Sequence, residues 1–171
     1  DSTKRLNYKL SDIYYNNSVL ALANPDTNKY SLEIYDYFNH DLNPQFLGVV
    51  DLPEKPVTVR FDFLYGNEYF VGLNYRAGCY IALLDGSGNE VSNLRIAEGF
   101  SVFDIQLTEE LLILSCGAEG VLVYRRDGLL NFSPIAMIGS SYAYSSLVYG
   151  ENQDQIIVGT KKGLEIYKIE R

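Results

Sequence analysis

The sequence repeats one tetrapeptide, Leu-Glu-Ile-Tyr, at residues 32–35 and again at residues 164–167. Between these two copies, similar residues recur at a constant offset of 42 positions. The pairs at this offset are Phe61 and Phe103, Asp62 and Asp104, Gly78 and Gly120, and Asp85-Gly86 and Asp127-Gly128. A spacing near 40 residues indicates that one small structural unit is used several times along the chain.

Each unit contains short runs of β-branched, aliphatic and aromatic residues separated by turn residues, as expected of successive strands. In the third unit, the pattern predicts four strands at residues 102–107, 110–116, 120–126 and 132–138. The second of these includes four consecutive apolar residues, Leu111 to Leu114, which is typical of a strand covered on both faces. The sequence therefore predicts an all-β protein.

We predict a small β-propeller of four four-stranded blades, because propeller blades have a repeat of this length. The blades cover about residues 11–55, 56–99, 100–140 and 141–171. The last unit ends after its third strand, whereas the opening segment, residues 4–10, has the alternation of an outer strand. We expect this segment to complete the fourth blade and close the ring, which removes open sheet edges.

Composition restricts the classes of partner. The formal net charge of the 171 residues is −8, and no basic stripe is present, so nucleic-acid binding is not expected. No apolar run approaches the ~20 residues of a membrane-spanning helix. The chain begins Asp-Ser-Thr-Lys-Arg without an initiator Met, so either a presequence was removed or the sequence starts internally. Two glycosylation sequons are present, and they favour an exported protein.

The two cysteines, Cys79 and Cys116, are too few for a disulfide framework or a zinc site. They fall on different strands of neighbouring units. We expect two buried free thiols that pack as small apolar groups, with a bridge between the units as the alternative.

The third unit, with Phe103-Asp104-Ile105 followed by residues 111–116 and 119–124, resembles a propeller blade of the LVIVD-repeat kind. This resemblance implies an exported or surface-associated protein. A weaker resemblance is to hemopexin-type domains, which have four blades and an Asp on the inner strand, a place that Asp62 and Asp104 would fill. The absence of Trp and the internal positions of both cysteines depart from that family.

The search for chemistry yields few candidates. His40, the only histidine, lies in a polar loop without a placed nucleophile, so we predict no catalytic residues and no cofactor. Asp62 and Asp104 are candidates for a cation site, and their alternative role is to accept backbone N–H bonds and fix a blade. Residues 85–90 and 159–163 are interpreted as tight turns rather than as a calcium loop and a phosphate loop.

Loops on a rigid propeller are the expected carriers of recognition. Those that join second to third strands, and one blade to the next, gather on one face. The predicted partner-binding residues on that face are Asn74, Tyr75, Arg76, Glu98, Phe100, Glu119, Tyr142, Lys161 and Lys162. Tyr and Arg are enriched in interface hot spots, so Tyr75, Arg76 and Tyr142 are the predicted anchors.

These features favour a non-catalytic binding or scaffolding module that recognises protein in an exported or surface-associated assembly. Its expected state is a monomer or a self-associating ring. One alternative is a carbohydrate-binding module, since Tyr side chains stack on sugars. A second is a glycosidase-like or lactonase-like enzyme with carboxylates at the mouth of the channel.

Overall fold

The computed structural model describes residues 9–16, 19–26, 28–36, 44–150 and 154–169. These residues form β-strands, turns and connections, and none of them lies in a helix. Consequently, none of them belongs to a helix with the length and apolarity needed to cross a membrane.

The described residues form fifteen strands in four antiparallel sheets. Sheet 1 contains β1 (Asp12–Asn16), β2 (Val19–Asn24), β3 (Ser31–Asp36) and β4 (Gln45–Asp51). Sheet 2 contains β5 (Pro56–Asp62), β6 (Asn67–Leu73), β7 (Cys79–Leu84) and β8 (Glu90–Ile96). Sheet 3 contains β9 (Asp104–Leu107), β10 (Leu111–Ser115), β11 (Val121–Gly128) and β12 (Asn131–Ile138). Sheet 4 contains β13 (Ala143–Tyr149), β14 (Gln155–Thr160) and β15 (Gly163–Lys168).

The strands of each sheet pair in chain order, so every sheet is a meander. The prediction of an all-β chain is therefore confirmed. The four strands predicted for the third unit are β9 to β12, with bounds that differ by at most two residues. The second strand, β10, is buried along its whole length, as its apolar run predicts.

Three apolar clusters hold the sheets together. The first lies between sheets 1 and 2, the second between sheets 2 and 3, and the third between sheets 3 and 4. Representative fully buried members are Ile34 and Phe61 in the first, Phe70 and Leu114 in the second, and Ile113 in the third. Each sheet thus packs face to face on the next sheet along the chain, and dispersion and the hydrophobic effect act at each junction.

The predicted ring closure lies largely beyond what the structure describes. Residues 4–8 of the predicted closing strand are outside the described residues, and the described part of sheet 4 has three strands. Among the residues that the structure describes, the sheets are not closed. The first cluster covers one face of sheet 1, and the third cluster covers one face of sheet 4.

The glycine repeat has a geometric basis. Gly78 and Gly120 both have left-handed backbone conformations, with φ of 83° and 88°. A Cβ atom at Gly78 would lie 2.2 Å from the carbonyl oxygen of Ile96, and one at Gly120 would lie 2.1 Å from that of Ile138. Both pairs are 42 residues apart, so the turn after the second strand is the same in sheets 2 and 3.

The inner strands β5 and β9 do not follow the offset of 42 residues, and the predicted equivalence of Asp62 and Asp104 is wrong. Thr58 pairs with Gly72 at one end of β5, whereas Asp62 pairs with Glu68 at the other end. Asp104 pairs with Ser115 and so occupies the place of Thr58. The reason is the longer connection between β5 and β6, which displaces the inner strand relative to the rest of the unit.

Candidate functional site

The turn between β6 and β7 holds two adjacent residues in an unusual conformation. Tyr75 and Arg76 have φ of 51° and 63°, in the left-handed region that favours glycine and asparagine. The turn is closed by the Ala77 N–H, which donates to the Asn74 carbonyl at 3.0 Å. Such conformations cost about 1–3 kcal/mol each and are concentrated at functional sites. The turn presents Tyr75 with 66% of its surface exposed.

Arg76 connects this turn to its neighbours. Its Nε donates to the Gly99 carbonyl at 2.7 Å, and its backbone N–H donates to the Ser101 hydroxyl at 2.9 Å. Its guanidinium also lies 3.6 Å from the carboxylate of Glu119 in sheet 3. The β6–β7 turn, the connection between sheets 2 and 3, and the β10–β11 turn therefore form one continuous surface.

Aromatic side chains extend the surface toward sheet 4. The ring centroid of Tyr142 lies 4.8 Å from that of Tyr144 and 6.3 Å from that of Phe103. Behind them, Gly117 and Ala143 exchange two backbone hydrogen bonds of 3.1 and 2.8 Å, which fix the approach of the two sheets. We call residues 74–78, 97–103, 117–120, 139–144 and 161–162 the loop face.

The predicted partner-binding residues are distributed unevenly over the loop face. Arg76 and Glu119 are in direct contact, and Asn74, Tyr75 and Phe100 adjoin them in the same loops. By contrast, Glu98 pairs with Arg95 at 2.6 Å at the edge of sheet 2. The exposed lysines, Lys161 and Lys162, occupy the β14–β15 turn. Sequence reasoning missed Ser101, Phe103 and Tyr144.

Asp104, one of the two candidate cation ligands, joins neighbouring inner strands. One of its carboxylate oxygens accepts the Ser146 N–H at 3.1 Å, and the other lies 3.4 Å from a guanidinium nitrogen of Arg60. Asp12 does the same between sheets 1 and 2, because it accepts the Val59 N–H at 3.0 Å and pairs with Arg60 at 2.9 Å. This is the structural role that the sequence offered as the alternative to a cation site.

Asp62, the other candidate ligand, belongs to a buried ion cluster between sheets 2 and 3. It accepts two hydrogen bonds from the guanidinium of Arg126, at 2.6 and 3.0 Å. The same guanidinium lies 3.4 Å from the fully buried carboxylate of Glu68. Asp62 and Asp104 thus pair with different arginines. Within the described part of the chain, no three His, Cys, Asp or Glu side chains are arranged to hold a metal ion.

The charge of Glu68 makes stability depend on pH. Burial raises the pKa of this carboxyl above its ordinary value of 4.5, although the Leu130 N–H and Arg126 act in the opposite direction. A carboxyl with a raised folded-state pKa contributes most to stability below its unfolded pKa, and this contribution is lost as pH rises through the folded pKa. We therefore expect the unfolding free energy of Glu68→Gln, relative to that of wild type, to increase between pH 4.5 and pH 7. Urea denaturation at several pH values in this range measures the difference.

Glu165 provides a control of opposite sign. The Tyr167 and Ser141 hydroxyls donate to its carboxylate and hold its pKa below the ordinary value. Its contribution to stability is present at neutral pH and is lost on acidification. The unfolding free energy of Glu165→Gln, relative to that of wild type, should therefore decrease as pH rises through the acid range. If this difference changed with pH in the same direction in both variants, the raised pKa of Glu68 would be contradicted.

The remaining sequence candidates have structural explanations. Cys79 and Cys116 are buried free thiols, as expected, and burial raises the pKa of Cys116 to about 12. The Asp85 carboxylate accepts the Ser87 and Asn89 N–H groups, so residues 85–90 form the predicted turn. His40 lies outside the described residues.

Comparisons with known proteins bear on the fold alone. No family model and no curated protein matches this sequence. The computationally designed Ika4 protein is similar in structure, with a TM-score of 0.73 and 11% identity over 99% of this chain and 96% of Ika4. This likeness fits a β-propeller-like arrangement of the four sheets.

Two longer chains also share the arrangement. The computationally designed Ika8 protein aligns with 94% of this chain at a TM-score of 0.70 and 11% identity. A functionally unknown protein from Desulfotomaculum acetoxidans DSM 771 aligns with 98% at a TM-score of 0.75 and 10% identity. This chain spans 46% and 54% of their respective lengths.

Proposed function

We propose that the four sheets are the blades of a β-propeller and that the loop face binds a protein partner in an exported or surface-associated assembly. Residues 4–10 supply the fourth strand of sheet 4, along the edge of β15. Two features support this arrangement. Each sheet packs on the next, and each chain connection runs from the outer strand of one sheet to the inner strand of the next. The resemblance to LVIVD repeats is part of the same proposal.

The observation that carries the binding proposal is the conformation of Tyr75 and Arg76. Two consecutive left-handed residues hold the phenol side chain in solvent, and contacts from Arg76 to Gly99 and Ser101 keep the turn in place. A rigid, exposed Tyr loses little conformational freedom on binding, which favours affinity. Tyr and Arg are also the residues most enriched among interface hot spots.

A photo-crosslinking experiment tests this proposal. A benzophenone amino acid at position 75 should give one discrete protein adduct in an extract of the source cells. The same group at Ser87, in the β7–β8 turn at the opposite end of sheet 2, should not give that adduct. Unlabelled wild-type protein should reduce the adduct in proportion to its concentration.

Tyr75→Gly serves as the matched competitor. Glycine adopts a φ of 51° without strain, so the variant should melt at or above the wild-type temperature. It should nevertheless fail to reduce the adduct at position 75, because the anchoring side chain is missing. Equal competition by Tyr75→Gly, or identical adducts from positions 75 and 87, would overturn the proposal.

The tyrosine pair Tyr142 and Tyr144 supports carbohydrate binding as a second candidate function. Their rings lie 4.8 Å apart on the loop face, and Tyr144 is exposed. Aromatic faces of this kind stack on the apolar faces of sugar rings. Binding to a defined glycan array that is lost in Tyr144→Ser would favour this function over protein recognition.

A further inference from the structure

A cleft of about 650 Å³ lies at the end of the sheets opposite the loop face. It is surrounded by the β9–β10 turn, the end of β11 and the outer strand β12, together with Tyr65 of the β5–β6 connection and Ile169, which follows β15. Its volume is within the range of pockets that bind small molecules. The described residues that line it do not belong to the loop face, so the cleft is a separate candidate site.

The buried side chain of Arg126 lines this cleft and leaves one donor unused. An arginine has five N–H donors. The Nη1 group donates to the Asp62 carboxylate at 2.6 Å and to the Thr108 carbonyl at 2.7 Å. The Nη2 group donates to Asp62 at 3.0 Å and lies 3.4 Å from the Glu68 carboxylate. The fifth donor, the Nε–H, is buried and has no acceptor among the described residues. An acceptor atom bound in the cleft would remove the cost of that unpaired donor.

Apolar and aromatic side chains form the walls of the cleft. Leu111 belongs to the third cluster and is buried, whereas Ile135 and Tyr65 are 46% and 39% exposed. The ring of Tyr65 lies over the guanidinium of Arg126, with 5.4 Å between the ring centroid and Cζ. Apolar walls around a few polar groups are the usual composition of a small-molecule pocket. The walls therefore favour a ligand with an apolar or aromatic group.

The charges around the cleft favour an uncharged ligand. Asp62 and Glu68 already compensate the charge of Arg126. Glu109 and Glu110 add two carboxylates at the β9–β10 turn, so an anion would be repelled. A cation without an acceptor atom would leave the Nε–H unpaired. An uncharged amide has both required groups, because its carbonyl can accept the Nε–H and its N–H can donate to the Glu109 carboxylate.

We propose that this cleft binds an uncharged amide that carries an apolar or aromatic group. The amide carbonyl accepts the Nε–H of Arg126, and the apolar group packs against Tyr65 and Ile135. A small free amide and an apolar residue of an extended peptide share this chemistry. The inference goes beyond the proposed function and does not rest on it, because the partner of the loop face binds at the other end of the sheets.

A ¹H–¹⁵N NMR titration tests the contact directly, because arginine Nε–H groups give their own cross-peaks. The cross-peak of Arg126 is assigned through the bonds of its side chain, so no variant of this buried residue is needed. N-acetylphenylalaninamide should shift this cross-peak saturably, with a Kd of about 1 mM or below. The Nε–H of Arg76, which donates to the Gly99 carbonyl on the loop face, is the internal control and should not move.

Charged analogues test the selection of an uncharged ligand. N-acetylphenylalanine has a carboxylate in place of the terminal amide. Phenethylamine keeps the aromatic group but has a positive charge and no carbonyl. Each should bind about tenfold more weakly than the amide, because one meets the carboxylates of the cleft and the other leaves the Nε–H unpaired.

A longer probe distinguishes the two sources of this chemistry. If the natural ligand is a peptide segment, acetyl-Ala-Ala-Phe-Ala-Ala-amide should bind about tenfold more tightly than N-acetylphenylalaninamide, since more of the cleft is filled. Equal or weaker binding of the pentapeptide would support a small free amide.

Two variants of β12 locate the binding site. Ile135→Glu should weaken binding of N-acetylphenylalaninamide about tenfold, because the new charge loses water when the apolar group binds. Met137→Glu is the matched control, since Met137 is 59% exposed on the same strand and does not line the cleft. It should bind the amide as wild type does.

Three results would overturn the proposal. The first is an Arg126 Nε–H cross-peak that the amide does not move, which would mean that solvent alone satisfies this donor. The second is equal binding of the amide and either charged analogue. The third is an equal effect of Ile135→Glu and Met137→Glu. Crosslinking at Tyr75 does not involve the cleft, so a failure here is distinguishable from a failure of partner binding.

Discussion

Replacing Arg126 with Met is expected to lower the free energy of unfolding by about 3–5 kcal/mol, the usual effect of removing one member of a buried ion cluster. The guanidinium is 1% exposed and is the cation beside both Asp62 and Glu68. Without it, two carboxylates lie close together between sheets 2 and 3 with reduced compensation. The side chain also packs over the rings of Tyr65 and Phe70, contacts that Met reproduces only in part.

Thermal denaturation checks this expectation. For a chain of this size, the change corresponds to a fall in the melting temperature of about 10 °C or more. Arg125→Met is the matched control, because the neighbouring Arg125 pairs with Asp127 in solvent. This control should leave the melting temperature unchanged within error. Equal effects of the two variants would show that the buried cluster does not stabilise the junction.

A second variant separates charge from packing. In the Arg126→Met background, Glu68→Gln removes one of the two uncompensated carboxylates while keeping the size of the side chain. We expect this substitution to recover part of the lost stability at pH 7, because a neutral amide is less costly to bury than a carboxylate. A further loss of stability would mean that packing around Arg126, rather than its charge, determines the effect.

The fold could be predicted from the sequence where the pattern is local. The buried run of β10 and the constant spacing of Gly78 and Gly120 identified the third unit, because periodicity and turn residues act over a few positions. The inner strands were misaligned because the offset of Asp62 and Asp104 is a coincidence of residue type. The pairing register depends on the length of the β5–β6 connection, which residue identity does not encode.

The site was only partly predictable for a different reason. Tyr75 and Arg76 were identified as surface anchors from residue type, but neither residue type favours the left-handed conformation found there. Tertiary hydrogen bonds to Gly99 and Ser101 determine that conformation. The buried pairing of Arg126 with Asp62 spans 64 residues of sequence, and an Arg in a strand pattern gives no sign of such a partner.

The repeated glycine turn leads to a final expectation with a large effect. Gly120→Ala should lower the free energy of unfolding by about 3 kcal/mol, because the left-handed backbone costs about 1–2 kcal/mol for any L-residue and the new Cβ meets a carbonyl. The carbonyl oxygen is that of Ile138, which would lie 2.1 Å from the alanine Cβ, and it belongs to the backbone at the end of β12. Relief of this clash requires the backbone of sheet 3 to move.

Gly86 and Gly78 make the test specific. A Cβ at Gly86 would have no heavy atom within 4 Å, so Gly86→Ala should leave chemical denaturation unchanged or slightly improve stability. Gly78→Ala should match Gly120→Ala, since its φ of 83° and its 2.2 Å approach to Ile96 are nearly the same. Divergent effects at positions 78 and 120 would show that the turns in sheets 2 and 3 are not equivalent. Equal effects mean that the repeat preserves a backbone contact between strand ends, not only a pattern of apolar residues.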